Sequence, residues 1–146
     1  MRLWHKDLIT VLPHKQLISQ WRECCAIAKA IAENGTPNHL LVNKIMNYPL
    51  ELDFYMYCCM VQMEMQKRGY KAFTGESWNN FCKHLQKACN NKAYEWNPHH
   101  VVFEDWHNDR YFRQCFYNLE EKFDCGGISF AEFLEIVRKA KEYEIF

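Results

Sequence analysis

The chain has 146 residues with 18 basic and 18 acidic side chains, so its formal net charge is zero. This length is typical of one domain, and an aromatic content of 16% predicts a packed core and excludes a disordered chain. Charged residues interrupt every apolar run, and residues 1–15 lack the apolar stretch of a signal peptide. We therefore expect one domain over residues 1–146, in the cytoplasm, with no membrane partner.

The first predicted element is a long amphipathic helix. Pro13 can open it, and apolar residues recur at alternating spacings of four and three from Leu17 to Ile31. Gly35 follows the last of them, which is typical of a helix end. The pattern predicts a helix of about twenty residues.

Two further helices are predicted before residue 70. A short one is expected from Thr36 to Ile45, and a longer one from about Leu50 to Arg68, before Gly69. The longer segment is apolar almost all round, so we expect it to cross the centre of the domain.

Three helices are predicted in the second half. Ser77 can cap a helix that extends to about Asn90, and a loop is predicted over residues 91–100. Asn108 can cap a further helix that extends to Phe123. Ser129 and Glu132 have the spacing of a capping box and predict the last helix. The sequence thus predicts an all-α, compact single-domain bundle of about six helices.

Metal and disulfide sites have little support. The adjacent pairs Cys24-Cys25 and Cys58-Cys59 lie in apolar helical runs, which favours buried free thiols. No cysteine pair has the spacing of a zinc site. The segment 121–132 has some features of a calcium loop, but Phe123 and Cys125 stand where carboxylates are needed, so a helix–Gly-Gly–helix turn is favoured. We predict no metal and no cofactor.

Charges on the first and third helices are the candidates for function. Residues 1–73 have a net charge of +3 and residues 74–146 a net charge of −3, so a polyanion is expected to prefer the first half. Arg22 and Glu23 lie beside the apolar stripe of the first helix, where Glu23 has short, neutral neighbours. On spacing alone, a solvated surface carboxylate is the favoured interpretation of Glu23. By the same reasoning, Lys67, Arg68 and Lys71 complement the dipole at the end of the third helix.

Three segments change this interpretation. They are Met1 to Trp4, Leu17 to Cys25, which contains Trp21-Arg22-Glu23, and Lys67-Arg68-Gly69-Tyr70. Together they resemble the pyrimidine-dimer DNA glycosylase family, which includes phage endonuclease V, over roughly residues 1–72. The chain is similar in particular to bacterial members that begin Met-Arg-Leu-Trp-His.

The resemblance implies a compact helical DNA repair enzyme whose N-terminal amine is the nucleophile. The amine attacks C1′ of the damaged nucleotide, the base leaves as a Schiff base forms, and a helix carboxylate assists the proton transfers that cleave the strand. By matching position, Glu23 is that carboxylate and Arg22 a phosphate or sugar ligand. Double-stranded DNA is the implied partner.

Position 2 differs from the family pattern, in which threonine follows the initiator methionine. The bulk of Arg2 favours retention of Met1, so the reactive amine belongs to Met1, or to Arg2 if Met1 is removed. The candidate DNA ligands are Arg2, Arg22, Lys67, Arg68 and Lys71, which, with Lys15, form one patch if the N-terminus packs near the end of the third helix. The alternative left open is a non-catalytic helical module that binds nucleic acid or protein.

Overall fold

The computed structural model of the chain describes residues 2–145, whose regular structure is entirely helical. The α-helices are α1 (His14–Asn34), α2 (Tyr55–Lys67), α3 (Gly75–Ala88), α4 (Asp109–Asp124) and α5 (Phe130–Lys141). Two 3-10 helices, Lys6–Val11 and Val42–Asn47, and a π-helical turn, Leu50–Phe54, accompany them. The all-α prediction is confirmed. Within the described range, no helix is both long and apolar enough to cross a bilayer.

The predicted helix ends match the structure at three places. Gly35 ends α1 with a left-handed φ of 78°. The Asn108 side chain accepts a hydrogen bond from the Tyr111 amide at the start of α4. Ser129 and Glu132 form the predicted capping box at the start of α5. In each case a local side-chain or glycine signal determines the boundary.

The helix expected from Thr36 is wrong in its start and type. The chain turns first, with Asn38 at a φ of +55°, and a 3-10 helix begins only at Val42. The Asn43 carboxamide oxygen accepts hydrogen bonds from the Thr36 hydroxyl and the His39 amide, so a polar side chain replaces helical backbone pairing.

Two other boundaries differ from the sequence prediction. Helix α3 begins at Gly75, after Thr74, so Ser77 lies in its first turn and does not cap it. The 3-10 helix Lys6–Val11 was not predicted, because a short apolar run has no helical periodicity to detect. Its Leu8 and Ile9 are buried in the core.

Helix α1 lies between α3 and residues 2–12, the N-terminal segment. On the α3 side, Trp21 donates an indole hydrogen bond to Ser77 Oγ at 2.7 Å and stacks on Trp78 at 6.0 Å between ring centroids. Tyr70, just after α2, stacks on His14 at the start of α1. The end of α2 therefore meets the beginning of α1.

The last two helices, α4 and α5, pack against each other and cover the N-terminal segment. Phe123 of α4 stacks on Phe133 of α5 at 4.4 Å between centroids, and Phe112 stacks on Tyr143 at 3.8 Å. Helix α5 also contacts the 3-10 helix Lys6–Val11. Residues 2–12 are thus enclosed by helices from both halves of the chain.

A buried histidine pair joins the N-terminal segment to the loop before α4. The Lys6 amide donates to His107 Nδ1 at 2.9 Å, and His5 Nε2 donates to the His107 carbonyl at 2.9 Å. The Asp7 amide donates to His5 Nδ1, which leaves the proton on Nε2. Burial lowers the pKa of His107 to about 2, with smaller contributions from His5 and Lys6. This junction therefore requires an uncharged His107.

Candidate active site

Residues 2–4, the N-terminal arm, lie against α1 and are fixed there by one side chain. The Gln20 carboxamide is fully buried. Its nitrogen donates to the Arg2 carbonyl at 3.0 Å, and its oxygen accepts from the Trp4 amide at 2.8 Å. One neutral side chain thus satisfies backbone groups at both ends of the arm.

Two tyrosines hold the arm from the other sides. The Tyr57 hydroxyl of α2 donates to the Trp4 carbonyl at 2.5 Å, and the Tyr111 hydroxyl of α4 donates to the Leu3 carbonyl at 2.6 Å. Burial raises the pKa of both tyrosines well above the ordinary value, so both remain donors at neutral pH. Three helices therefore fix the position of the arm.

Glu23, one turn after Gln20, faces the beginning of the arm. The Arg2 backbone amide donates to Glu23 Oε2 at 3.0 Å. Within the described chain this amide is the sole hydrogen-bond donor to that carboxylate, and the side chain is partly exposed. The structure thus brings two predicted site residues into contact, and the carboxylate retains access to solvent. Met1, the third predicted catalytic residue, lies outside the described residues.

The Arg2 side chain folds back over the arm toward α4. Its guanidinium lies 5.4 Å from the centre of the Trp4 ring, within range for a cation–π contact, and 3.8 Å from Cys115 Sγ. The guanidinium therefore packs on the arm and on α4, and within the described residues it forms no ion pair with Glu23.

Arg22 points away from the core, on the exposed stripe of α1. Lys15, Arg22 and Lys29 repeat every seven residues and are all exposed, as are Ser19 and Ala26 between them. Glu23 lies along one edge of this stripe. A positively charged surface with small side chains therefore borders the Glu23 contact, and a polyanion can approach it closely.

The other predicted DNA ligands lie elsewhere. The arm contacts Tyr57 near the start of α2, whereas Lys67 is ten residues further on, about 15 Å along the helix axis. Lys67 and Lys71 are exposed. Residues 10–12, and not the arm, pack near the end of α2, so a DNA contact through Lys67 and Lys71 stays a prediction separate from the Glu23 contact.

The Arg68 guanidinium is engaged within the protein. It forms an ion pair with Glu64 at 2.8 Å and donates to the carbonyls of Leu12 at 2.8 Å and Thr10 at 3.2 Å. Arg68 thus ties the second part of the N-terminal segment to α2.

Cys25 on α1 is not an alternative nucleophile. All eight cysteines are free thiols; of the two adjacent pairs, Cys24, Cys58 and Cys59 are buried and Cys25 is partly exposed. Burial raises the pKa of Cys25, the partly exposed thiol of α1, to about 11. The thiolate is the nucleophilic form, so this group is unreactive near neutral pH. Within residues 2–145, no three histidine, cysteine or carboxylate side chains cluster as metal ligands would.

Sequence reasoning missed the residues that position the arm, namely Gln20, Tyr57 and Tyr111. Gln20 is a polar residue of an amphipathic helix, yet it is fully buried. One signal was present: Gln20 follows Leu17 by three residues and precedes Cys24 by four, which is a core position occupied by a polar side chain. Such a residue must have polar partners, although the sequence does not identify them.

Comparison with known proteins identifies a family for the first part of the chain. The sequence pattern of one family, described as pyrimidine dimer DNA glycosylase, matches residues 1–80, which include the arm, α1, α2 and the first turn of α3. No curated protein and no solved structure matches the chain. The match covers more than half of the sequence. The chain therefore belongs to the pyrimidine dimer DNA glycosylase family, whose members are DNA repair enzymes.

Proposed function

We propose that the protein is a DNA glycosylase and abasic-site lyase that acts on damaged pyrimidines in double-stranded DNA. The N-terminal amine is the nucleophile and Glu23 the acid/base group. The observation that supports this proposal is the 3.0 Å contact between the Arg2 backbone nitrogen and Glu23 Oε2. That contact holds the beginning of the chain beside a carboxylate that solvent can reach.

The proposed reaction needs a neutral amine and a proton acceptor. The amine forms a bond to C1′ while the glycosidic bond breaks and its electron pair leaves with the base. Opening of the C1′–O4′ bond gives the Schiff base, and removal of a C2′ proton expels the 3′ phosphate. An α-amine with a pKa of about 7.7 to 8.0 has an appreciable neutral fraction near neutral pH. Glu23 is within reach to accept and return protons.

Which residue carries the free amine determines how far the amine lies from Glu23. If Met1 is removed, the Arg2 nitrogen is the amine and already contacts Glu23. If Met1 is retained, the amine lies up to about 3.6 Å further along the chain. Intact-mass measurement of the purified protein distinguishes the two forms, and peptide mapping of a reduced adduct locates the reacting nitrogen.

Borohydride trapping tests the reaction. Duplexes with an abasic site or ultraviolet damage should give a covalent adduct with the wild-type protein, attached to the N-terminal peptide. Glu23→Gln should reduce strand cleavage at least about a hundredfold, the usual contribution of an acid/base group.

Glu33→Gln is the matched control, because Glu33 is an exposed carboxylate on the same helix, ten residues further on. It should cleave like the wild type. DNA binding with no adduct under any of these conditions would contradict the reaction and support a non-catalytic binding module. An adduct on a lysine would contradict the role of the N-terminal amine.

A further inference from the structure

The N-terminal arm lies between α1 and α4. On the α1 side, Glu23 accepts the hydrogen bond of the Arg2 amide. On the α4 side, the Tyr111 hydroxyl donates to the Leu3 carbonyl, and the Arg2 guanidinium lies 3.8 Å from Cys115 Sγ. Among the described residues, the two helices make no extended contact with each other. A nucleotide that reaches the beginning of the arm therefore has α1 on one side and α4 on the other.

Two carboxamides, Gln114 and Asn118, form the edge of α4 beside the arm. Tyr111 and Cys115 face the arm, and each carboxamide follows one of them by three residues, so the four side chains lie on neighbouring rows of the helix. On the other side of Tyr111, Phe112 is fully buried in the core. Gln114 and Asn118 therefore stand where the arm side of α4 meets solvent.

The fold leaves both carboxamides without partners. Gln114 is exposed and Asn118 is half-buried, and within residues 2–145 neither side chain forms a hydrogen bond. Each carboxamide has two N–H donors and an acceptor oxygen. The α4 edge therefore presents unused donors and acceptors next to the reactive end of the chain.

The two sides of the arm differ in charge. The exposed stripe of α1 is positively charged, with Arg22 beside the Glu23 contact. The α4 edge is neutral, because the exposed charges of Arg110 and Glu121, about one turn to either side of the carboxamides, have opposite signs. A cationic surface suits phosphates, whereas carboxamides pair with the donors and acceptors of a base. The charges therefore favour phosphates over α1 and a base beside α4.

We propose that Gln114 and Asn118 bind the pyrimidine base of the damaged nucleotide, through hydrogen bonds to the carbonyl oxygens and the N–H of its ring. The proposal rests on the proposed function, which supplies the substrate. Enzymes that act on a base take it out of the stack and recognise it by hydrogen bonds. Both residues lie beyond residue 80, outside the region that matches the family. The second half of the chain thus takes part in the choice of base.

A pair of substrates tests the base contact. An abasic site has no base at the reacting sugar, whereas an ultraviolet-damaged duplex has one. The double variant Gln114→Met, Asn118→Leu keeps the approximate size of both side chains and removes their hydrogen bonds. It should form the borohydride adduct with the damaged duplex about 10- to 100-fold more slowly than the wild type, as expected for lost base contacts. With the abasic duplex it should react at the wild-type rate.

Other variants control for folding and for general loss of DNA contact. Asn80→Leu, Gln86→Met is the matched control, because both residues are exposed carboxamides on α3, and it should react like the wild type with both substrates. Gln114→Met alone, at an exposed position, should show the same difference between the substrates at a smaller size. Urea denaturation checks that each variant is folded. The salt slope of duplex binding should not change, because neutral side chains release no counterions.

The outcomes separate this proposal from the proposed function. If the double variant matches the wild type on damaged duplex, the base contact is wrong and the reaction stands. Equal slowing on both substrates, or a smaller salt slope, also overturns the base contact, because α4 would then act on the arm or on phosphates.

If the wild type forms no adduct with either duplex, the proposed reaction is wrong, and binding decides the base contact. Fluorescence anisotropy should then show that the wild type prefers ultraviolet-damaged over undamaged duplex and that the double variant loses this preference. A wild type without the preference, or a double variant that keeps it, overturns the base contact.

Discussion

The N-terminal segment is anchored at two places that use charge in different ways. At the arm, neutral side chains provide most of the hydrogen bonds, and Glu23 accepts one from the Arg2 amide and remains partly exposed. At residues 10–12, Arg68 provides them, and its charge is balanced by the nearly buried Glu64. The first anchor leaves a charge available for a ligand and the second uses its charges for folding. A charged residue's role thus depends on how many partners the fold gives it.

Arg68→Met should have the largest effect on stability, because it removes the second anchor. The substitution leaves Glu64 with its charge in a site of low exposure and two backbone carbonyls without donors. We expect the free energy of unfolding to fall by about 3 kcal/mol, measured by urea denaturation. Lys67→Met, at the exposed neighbouring position, should change it by less than about 0.5 kcal/mol. Equal effects of the two substitutions would contradict the anchoring role.

Gln20→Leu breaks the first anchor and should be next in size. It keeps the approximate volume but leaves the Trp4 amide and the Arg2 carbonyl without their partner. The expected loss of stability is about 2 kcal/mol. Adduct formation should slow by more than the unfolded fraction explains, because the arm is no longer fixed beside Glu23.

Gln16→Leu is the comparison for Gln20→Leu. Gln16 lies one turn earlier on the same helix, and its Oε1 accepts no hydrogen bond within residues 2–145. This variant should retain both stability and the rate of adduct formation. If the Gln20→Leu variant forms the borohydride adduct at the wild-type rate, the hydrogen bonds of Gln20 are not needed to position the arm.

The sequence predicts the helices better than it predicts the site. Strong local signals, such as the Ser129 capping box and the left-handed Gly35, determine where helices begin and end. Gln20 and Tyr111 are 91 residues apart, and they meet at the arm only through tertiary packing. Nothing in the local pattern distinguishes Arg22, which is exposed, from Arg68, which is engaged. The family resemblance made Glu23 a candidate, but its contact with the Arg2 nitrogen could be seen only in the fold.

Between the two anchors, the buried His107 makes stability depend on pH. Its pKa is lowered in the folded state, so the unfolded chain binds the proton more readily below pH 6.5. The free energy of unfolding therefore has its full value above about pH 6.5. It falls with acidification by up to about 1.4 kcal/mol per pH unit. From pH 6.5 to 5 the wild type should lose more stability than His107→Gln, measured by urea denaturation at each pH. A His107→Gln variant that loses as much stability as the wild type would contradict the role of His107.

Arg22→Gln should have the smallest effect, and it tests which anchor faces the DNA. Arg22 is exposed beside the Glu23 contact, whereas Lys67 is exposed near the other anchor, about 15 Å along α2 from Tyr57. If DNA covers the arm, Arg22→Gln should weaken duplex binding severalfold and reduce the magnitude of the salt slope by about 1. Lys67→Gln should change both less, because a contact there requires the duplex to extend along α2. A larger effect of Lys67→Gln would place the DNA over the second anchor and would separate the bound strand from Glu23.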